Sequence, residues 1–146
     1  MASSSEAVGQ SSVTAVTPRS ILFLLRAEGL AAAAISAWFY AHSGASWWMF
    51  AALWLAPDLS MLGYLGGPRL GARTYNAIHT YVTPGTLSLS ALLFHAHGVL
   101  PVALIWINHI GVDRLLGYGL KYPTAFGLTH LSKSGNGATI PMSRGA

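Results

Sequence analysis

Four long apolar segments follow one another through this chain, separated by short breaks. Each approaches the roughly 20 residues that a helix needs to cross a hydrocarbon core of about 30 Å. The segments are Ile21–Ala41, Ser46–Gly66, Thr74–Ala96 and Val99–Leu120. The breaks are short enough to make neighbouring segments antiparallel; they fall at His42–Ala45, Gly67–Arg73 and His97-Gly98. The pattern predicts an all-α integral membrane protein, a bundle of four transmembrane helices.

The composition agrees with a membrane environment. Only 8% of the 146 residues are charged, about a third of the roughly 25% found in soluble proteins. Apolar residues make up 53%, and the mean hydropathy is +0.49. These values exclude a soluble globule and a disordered chain, and the sparse net charge of +4 excludes a nucleic-acid-binding surface. The chain has no cysteine, so it has no disulfide and no thiolate nucleophile or metal ligand.

The basic residues predict the orientation of the four segments. They lie before the first segment, in the second break and after the fourth segment: Arg19, Arg69, Arg73, Lys121, Lys133 and Arg144. The first and third breaks contain no lysine or arginine. Because positive charge stays on the cytoplasmic side, we expect both termini in the cytoplasm of a bacterial cell, with the protein in the inner membrane. Trp47 and Trp48 then begin the second segment at the outer interface.

The chain outside the four segments completes the predicted organisation. We expect a disordered N-terminal tail over 1–18, a four-helix transmembrane domain over 19–121, an interfacial segment over 122–132 and a disordered C-terminal tail over 133–146. The expected partners are membrane lipid and a small apolar substrate, and no nucleic acid. Small residues at Gly29 and Ala31–Ala34 allow close helix contact, and a homo-oligomer is one use for it.

Polar residues of all four segments fall at a similar depth. With a rise of about 1.5 Å per residue, Glu28, Asp58, His79 and Asp113 lie roughly 8–12 Å below the cytoplasmic edge, and His109 lies one turn deeper. A charged group in the middle of a membrane costs about 2.5–3.5 kcal/mol, so such groups default to a function. The outer half is almost wholly apolar. The sequence therefore predicts a polar pocket that faces the cytoplasm.

The residue types in this layer favour acid–base chemistry, which needs a histidine oriented by a carboxylate. We predict four catalytic residues, namely Asp58, His79, His109 and Asp113. Five more are predicted to bind substrate, with Arg114 as an anion clamp and the tyrosines as donors: Glu28, Tyr64, Asn76, Arg114 and Tyr118. The leading hypothesis is a membrane-embedded acid–base enzyme that acts on an apolar or lipid-like small molecule.

Three alternatives stay open. We predict no metal and no cofactor, because no segment contains a Glu-x-x-His motif or two closely spaced histidines, although zinc or iron would suit imidazole and carboxylate ligands. A proton-coupled or small-molecule transporter, or a channel component, would use the same acids and histidines as a relay, but the outer half offers no polar path. The layer also holds three acids and two arginines, which is the balance of a structural salt-bridge network.

Two segment ends resemble each other. Asp58-Leu-Ser-Met-Leu-Gly-Tyr64 ends the second segment and Asp113-Arg-Leu-Leu-Gly-Tyr118 ends the fourth, and a proline follows each within five residues. This similarity is consistent with two repeated helical hairpins related by an axis along the membrane normal. The spacing between the aspartate and the tyrosine differs by one residue. Segments composed of few apolar residue types also match by chance.

Several stretches resemble a bacterial family of small integral-membrane proteins known as domain of unknown function 4260. They are Leu-Leu-Arg26-Ala-Glu28-Gly, Ala-Pro-Asp58-Leu-Ser-Met-Leu-Gly-Tyr64, Tyr-Asn76-Ala-Ile-His79-Thr, His109-Ile-Gly-Val-Asp113-Arg114-Leu-Leu-Gly-Tyr118-Gly-Leu-Lys121-Tyr and Thr129-His130-Leu. The resemblance covers about Arg19 to Leu131. The resemblance implies a four-helix membrane fold and no particular reaction. Its motifs contain the same polar residues that lie at a similar predicted depth in the membrane.

Overall fold

A computed structural model describes residues 18–96, 98–123, 129 and 131 of the chain. The secondary structure is helical: α1 Arg19–His42, α2 Trp47–Leu53, a 3₁₀ helix Ala56–Gly66, α3 Pro68–Ile78, α4 Val82–Leu93 and α5 Leu100–Leu116. The described residues contain no strand, and a single bridge pairs Lys121 with Thr129. The predicted all-α class is confirmed at this level.

Large apolar side chains cover the outside of the molecule. Arg19–His42 and Trp47–Gly66 are each long and apolar enough to cross a membrane. Only 17% and 6% of their most apolar windows are buried inside the protein. Trp48 is 85% exposed and Leu65 is 89% exposed. Surfaces of this kind are not stable in water, so these two helices are candidate membrane spans.

The α1 and α5 helices pack against each other in antiparallel fashion, with backbones in direct contact. A Cβ atom added at Gly111 would lie 2.7 Å from the Ala33 nitrogen and 2.8 Å from the Gly29 oxygen. A Cβ atom at Gly29 would in turn lie 2.7 Å from the Gly111 oxygen. Two facing glycines therefore set the distance between these helices, as small residues do in membrane proteins. Gly29 and Ala33 contact α5 of the same chain, while Ala31 and Ala34 are exposed. A homo-oligomer therefore stays a prediction.

An apolar cluster closes one end of the α1–α5 pair. Tyr40, Leu104 and Ile105 are its buried members, and the hydroxyl of Tyr40 donates to the Ser46 carbonyl at 2.6 Å. Phe50 and Trp54 pack against this cluster from the second segment. The other half of α5, which lies beyond this apolar cluster, carries polar side chains.

The 3₁₀ helix and α3 form a second antiparallel pair. Thr74 donates from Oγ1 to the Ser60 carbonyl at 2.9 Å, and the ring of Tyr64 lies over Gly71, where a Cβ atom would collide with it. Pro57, at the start of the 3₁₀ helix, removes one backbone donor. This pairing holds Asp58 at a fixed position beside α3.

The third predicted segment, Thr74–Ala96, differs from the structure because it is not one helix. The α3 helix begins at Pro68, inside the predicted break Gly67–Arg73, and ends at Ile78; α4 begins at Val82. Pro84 cannot donate the hydrogen bond that would continue α3 through this point. The fourth predicted segment, Val99–Leu120, is helical to Leu116, where Gly117 adopts a left-handed φ of 95° and ends it.

Three side chains donate hydrogen bonds to backbone carbonyls at this break. The Ile78 carbonyl receives a hydrogen bond from Trp106 Nε1 at 2.8 Å, and the His79 carbonyl receives one from Arg114 at 3.0 Å. Thr83 donates from Oγ1 to the Ala77 carbonyl at 2.7 Å. These three carbonyls at the helix end thus have partners, which is the condition for irregular backbone at membrane depth.

The predicted disordered tails, 1–18 and 133–146, lie outside the described residues apart from Pro18. The predicted interfacial segment 122–132 is described only at Tyr122, Pro123, Thr129 and Leu131. Leu131 is 4% exposed, so its side chain is covered by the protein.

Candidate functional site

Four of the nine predicted site residues meet in one cluster, and they are the four predicted to be catalytic. Asp58 comes from the 3₁₀ helix, His79 follows the last residue of α3, and His109 and Asp113 lie one turn apart on α5. Each residue offers one ligand atom, and these atoms all lie within 4.8 Å of one another. We refer to these four side chains as the His–Asp cluster.

The two imidazoles form the buried side of the cluster. His79 Nε2 lies 3.3 Å from His109 Nε2, and the two side chains are 1% and 2% exposed. Asp58 Oδ1 lies 3.4 Å from His79 Nε2 and 3.6 Å from His109 Nε2. Asp113 Oδ2 lies 3.7 Å from each of the two nitrogens. Each of these four contacts joins an imidazole to a carboxylate.

The hydrogen bond on the far side of His79 fixes its tautomer. Nδ1 of His79 lies 3.0 Å from the Tyr75 carbonyl oxygen, and a carbonyl only accepts, so Nδ1 carries the proton. Neutral His79 therefore directs the lone pair of Nε2 into the cluster. For His109, Nδ1 is buried and has no hydrogen-bond partner within the described residues, and Nε2 faces the same centre.

The cluster holds more acceptors than donors. His79 Nε2 and the oxygens of Asp58 and Asp113 each present lone pairs, and the one proton available on His109 Nε2 cannot satisfy all three. The Tyr75 hydroxyl adds only a long donation to Asp113 Oδ2, at 3.4 Å. Lone pairs that converge in a partly buried place are unfavourable unless a cation, an added proton or water lies between them. The cluster could therefore hold a metal ion.

The distances match those of a tetrahedral ligand set. Zinc binds imidazole nitrogen and carboxylate oxygen at about 2.0–2.2 Å, which corresponds to roughly 3.3–3.6 Å between neighbouring ligand atoms of a tetrahedron. The five distances given above run from 3.3 to 3.7 Å. Two carboxylates would also balance the charge of a divalent ion.

Aromatic residues that the sequence analysis did not select surround the cluster. The Tyr75 ring stacks on His79, with 3.8 Å between the ring centroids, and Trp54 packs edge-on against His109 at 5.1 Å. Trp54 is itself held by Asn108, whose Oδ1 accepts from Trp54 Nε1 at 2.9 Å. A signal for Tyr75 exists in the sequence, since it lies four residues before His79 and so on the same face of the helix.

The cluster is accessible from one side. The side chains of Asp58 and Asp113 are 40% and 17% exposed, so Asp58 lies at the open edge. The ammonium of Lys121 lies nearby, 4.4 Å from the centroid of the Tyr75 ring. Burial lowers the pKa of Lys121, while the negative charges of Asp58 and Asp113 act in the opposite direction.

The five predicted substrate-binding residues separate into two groups. Tyr64, Asn76 and Arg114 are half-buried near the cluster, whereas Glu28 and Tyr118 are exposed. Asn76 binds the backbone of Lys121 with both ends of its amide, at 2.8 and 2.7 Å. Arg114 donates to the carbonyls of His79 and Tyr118. Asn76 and Arg114 thus hold the chain in place, and the described structure gives Arg114 no carboxylate partner.

A family model matches residues 23–133, which include every residue of the cluster; its description is Domain of unknown function (DUF4260). The chain belongs to this family. The resemblance identified from the motifs is thereby confirmed as membership of DUF4260. No curated protein and no solved structure matches the chain.

Proposed function

We propose that this DUF4260 protein is a multi-pass membrane enzyme whose His–Asp cluster binds one divalent metal ion of the zinc type. The observation that carries the proposal is the set of five distances of 3.3–3.7 Å that join two imidazole nitrogens to each other and to two carboxylate oxygens. Acid–base chemistry on an apolar or lipid-like molecule remains the reaction class. In this proposal the four residues of the His–Asp cluster act as metal ligands and not as a free His–Asp pair.

The ligands have different parts in this proposal. His79, His109 and Asp113 are the three most buried and hold the ion, while Asp58, at the open edge, is the ligand beside which a water or a substrate atom enters. A bound zinc-type ion polarises a carbonyl or lowers the pKa of its water to about 7. The Tyr75 carbonyl and hydroxyl orient His79 and Asp113, as groups behind metal ligands do.

The proposal places the protein in the inner membrane of a bacterium with four crossings and both termini in the cytoplasm. The exposed apolar side chains of α1 and of Trp47–Gly66 support membrane insertion, and the positions of the basic residues support the orientation. The hydrogen bonds to the carbonyls of Ala77, Ile78 and His79 support a third crossing that consists of α3 and α4 with a break between them. The cluster then faces the cytoplasm.

An enzyme agrees better with the packing than a transporter does. The apolar cluster of Tyr40, Leu104 and Ile105 fills the end of the α1–α5 pair beyond His109. Ile105 lies one turn from His109 on α5 and is 1% exposed. In that direction the buried amide of Asn108 is already hydrogen-bonded to Trp54 and to the Ala33 carbonyl, and an ion or proton would meet mostly apolar side chains.

Metal content of the purified protein tests the proposal. The protein is prepared in detergent with a tag that contains no histidine, and its metals are measured by mass spectrometry. We expect about one zinc-type ion per chain. Asp113→Asn preserves the size of the side chain and removes the charged ligand, so its metal content should fall at least tenfold while the protein remains helical by circular dichroism.

His79→Ala should lose the metal as well, and His42→Ala is the matched control. His42 is exposed and contacts the carbonyl and ring of Trp38 on its own helix, so its removal should leave the metal content unchanged. A metal-free wild-type protein that also fails to take up zinc by titration would contradict the metal centre.

The orientation can be tested with single cysteines, because the chain has none. Ser43→Cys and Gly98→Cys lie at exposed positions in the first and third connections, and Arg69→Cys lies at the second. A membrane-impermeant maleimide should label the first two in intact cells and Arg69→Cys only after permeabilisation. Equal labelling of all three in intact cells would contradict the orientation.

A further inference from the structure

An apolar groove with a volume of about 360 Å³ runs beside the His–Asp cluster. Its lining includes Pro57, Ile78 and Ile105. Pro57 and Ile78 directly precede the ligands Asp58 and His79, and Ile105 lies one turn before His109 on α5. Two of the four cluster residues thus directly follow a groove residue in the sequence, and a third lies one turn from one. The groove therefore lies beside the cluster, and its volume is within the roughly 300–1,000 Å³ of small-molecule pockets.

The groove is apolar except at one point. Trp106 presents its ring, because its Nε1 donates to the Ile78 carbonyl, and Leu53 and Val102 complete the apolar lining. The exception is the Ser60 hydroxyl, a buried oxygen without a hydrogen-bond partner in the part of the chain that the structure describes. Ser60 follows Asp58 by two residues. A molecule that binds in the groove therefore needs a polar group only at the end that lies near the His–Asp cluster.

The mouth of the groove lies in an apolar surface. Ala56 lines the groove and is exposed, and its neighbours Leu55 and Leu59 are 59% and 65% exposed. Under the proposed membrane placement this surface contacts lipid, so a molecule can enter from the hydrocarbon phase without crossing water. Polar molecules from the cytoplasm have the other route, past Asp58.

We propose that the groove binds the alkyl or acyl chain of the substrate, with the chain's polar group held at the His–Asp cluster. The substrate class is a single-chain lipid-like molecule with an oxygen-bearing head group, such as a carbonyl compound. The assignment rests on the metal centre proposed above. It adds to that proposal a chain site, a head-group site and an entry route through the membrane.

Two probes that share a head group test the chain site. The protein is loaded with Co²⁺, whose visible spectrum reports its ligands, and titrated in one detergent with acetohydroxamic acid and with octanohydroxamic acid. Both probes bind metal ions through the hydroxamate, and only the second has a chain that can fill the groove. The ratio of the two affinities in one protein is compared with the ratio in its variants, so partition of the probe into detergent cancels.

Two variants obstruct the groove at different places. Ala56→Phe places a ring at the mouth, and Val102→Phe places one farther inside. Ala52→Phe is the matched control, since Ala52 is exposed on α2 one turn away and does not line the groove. Burial of several methylene groups is lost when the groove is filled. We expect octanohydroxamic acid to bind about tenfold more weakly to each obstructed variant, with acetohydroxamic acid unchanged and Ala52→Phe like the wild type.

The outcomes separate this assignment from the metal centre. If Co²⁺ binds and both probes alter its spectrum, but the affinity ratio is the same in wild type, Ala56→Phe and Val102→Phe, the groove holds only bulk lipid and the chain site is wrong. If no Co²⁺ spectrum develops in the wild type, the metal centre itself is wrong, and the chain site that rests on it is withdrawn.

Discussion

The α1–α5 pair and the pair formed by the 3₁₀ helix and α3 use different kinds of backbone to bring helices together. The first consists of unbroken α-helices that touch at Gly29 and Gly111, and a hydrogen bond from Asn108 Nδ2 to the Ala33 carbonyl, at 2.8 Å, joins them beside this contact. The second consists of a 3₁₀ helix and a helix that stops at Ile78. Regular backbone satisfies its own hydrogen bonds, whereas irregular backbone needs donors from other elements.

The comparison explains where the polar side chains lie. Asp58 and His79 both belong to the irregular pair, and α5 supplies His109 and Asp113 on the face that it turns toward that pair. A helix end places its last side chain and its free carbonyls in new directions, which an unbroken helix cannot do. The regular pair therefore provides the rigid support, and the irregular pair provides two of the four candidate ligands.

The largest effect should come from Gly111→Ala, which disturbs the regular pair. The new Cβ atom would lie 2.7 Å from the Ala33 nitrogen, a backbone atom that cannot turn aside, so α1 and α5 must separate. Overpacking of this kind costs about 1–3 kcal/mol. We expect a clearly lower unfolding temperature in detergent, measured by circular dichroism.

Gly85→Ala on α4 is the matched control for Gly111→Ala. A Cβ atom at Gly85 would meet no atom within 4 Å, and alanine favours a helix over glycine by about 1 kcal/mol. Its unfolding temperature should stay the same or rise. If the two variants unfold alike, the close contact of α1 and α5 does not limit stability.

A smaller effect should follow from Tyr75→Phe, which acts on the irregular pair. Phenylalanine preserves the ring that stacks on His79 and removes the hydroxyl that donates to Asp113. Loss of a group behind a metal ligand typically reduces metal affinity by about 10–100-fold, and the 3.4 Å bond favours the lower value. Zinc competition with a chromophoric chelator measures it.

Tyr118→Phe is the comparison for Tyr75→Phe, because Tyr118 is 58% exposed. Its zinc affinity should equal that of the wild type, and neither variant should change the unfolding temperature by more than a few degrees. A zinc affinity in Tyr75→Phe equal to that of Tyr118→Phe would show that the hydroxyl does not support the centre.

The smallest effect is expected from Ser60→Ala in the groove. The Ser60 hydroxyl has no partner among the described residues, so its removal should leave folding unchanged and slightly stabilise the empty protein. A bound head group that accepts from this hydroxyl would lose about 0.5–1.5 kcal/mol, or roughly two- to twelvefold in the affinity for octanohydroxamic acid. Unchanged affinity would mean that the hydroxyl does not contact the head group.

The sequence predicts the regular pair better than the irregular one. The predicted first segment Ile21–Ala41 agrees closely with α1, and Val99–Leu120 contains α5, because a long apolar run determines an unbroken helix. The break at His79–Tyr81 depends on Trp106 and Arg114, which are distant in the sequence. Pro84-Gly85 marks a weak point in Thr74–Ala96, but no local pattern reports such distant donors, so the position of the break could not be predicted.

The site shows the same division. Counting residues along each helix gives the depth of a side chain, and this argument brings Asp58, His79, His109 and Asp113 to one level. Depth does not give the direction around the helix axis. For that reason Glu28 was selected although it is exposed, and Tyr75 was missed although its ring stacks on His79.

The hydrogen bonds between Asn76 and the backbone of Lys121 have a consequence for the kinetics of metal loading. They keep the ammonium of Lys121 above Tyr75, next to the accessible edge of the His–Asp cluster. A fixed positive charge there slows the arrival of any cation and equally slows its escape. Exchange of a bound ion should therefore be slow, and the zinc and Co²⁺ titrations should need long incubation to reach equilibrium.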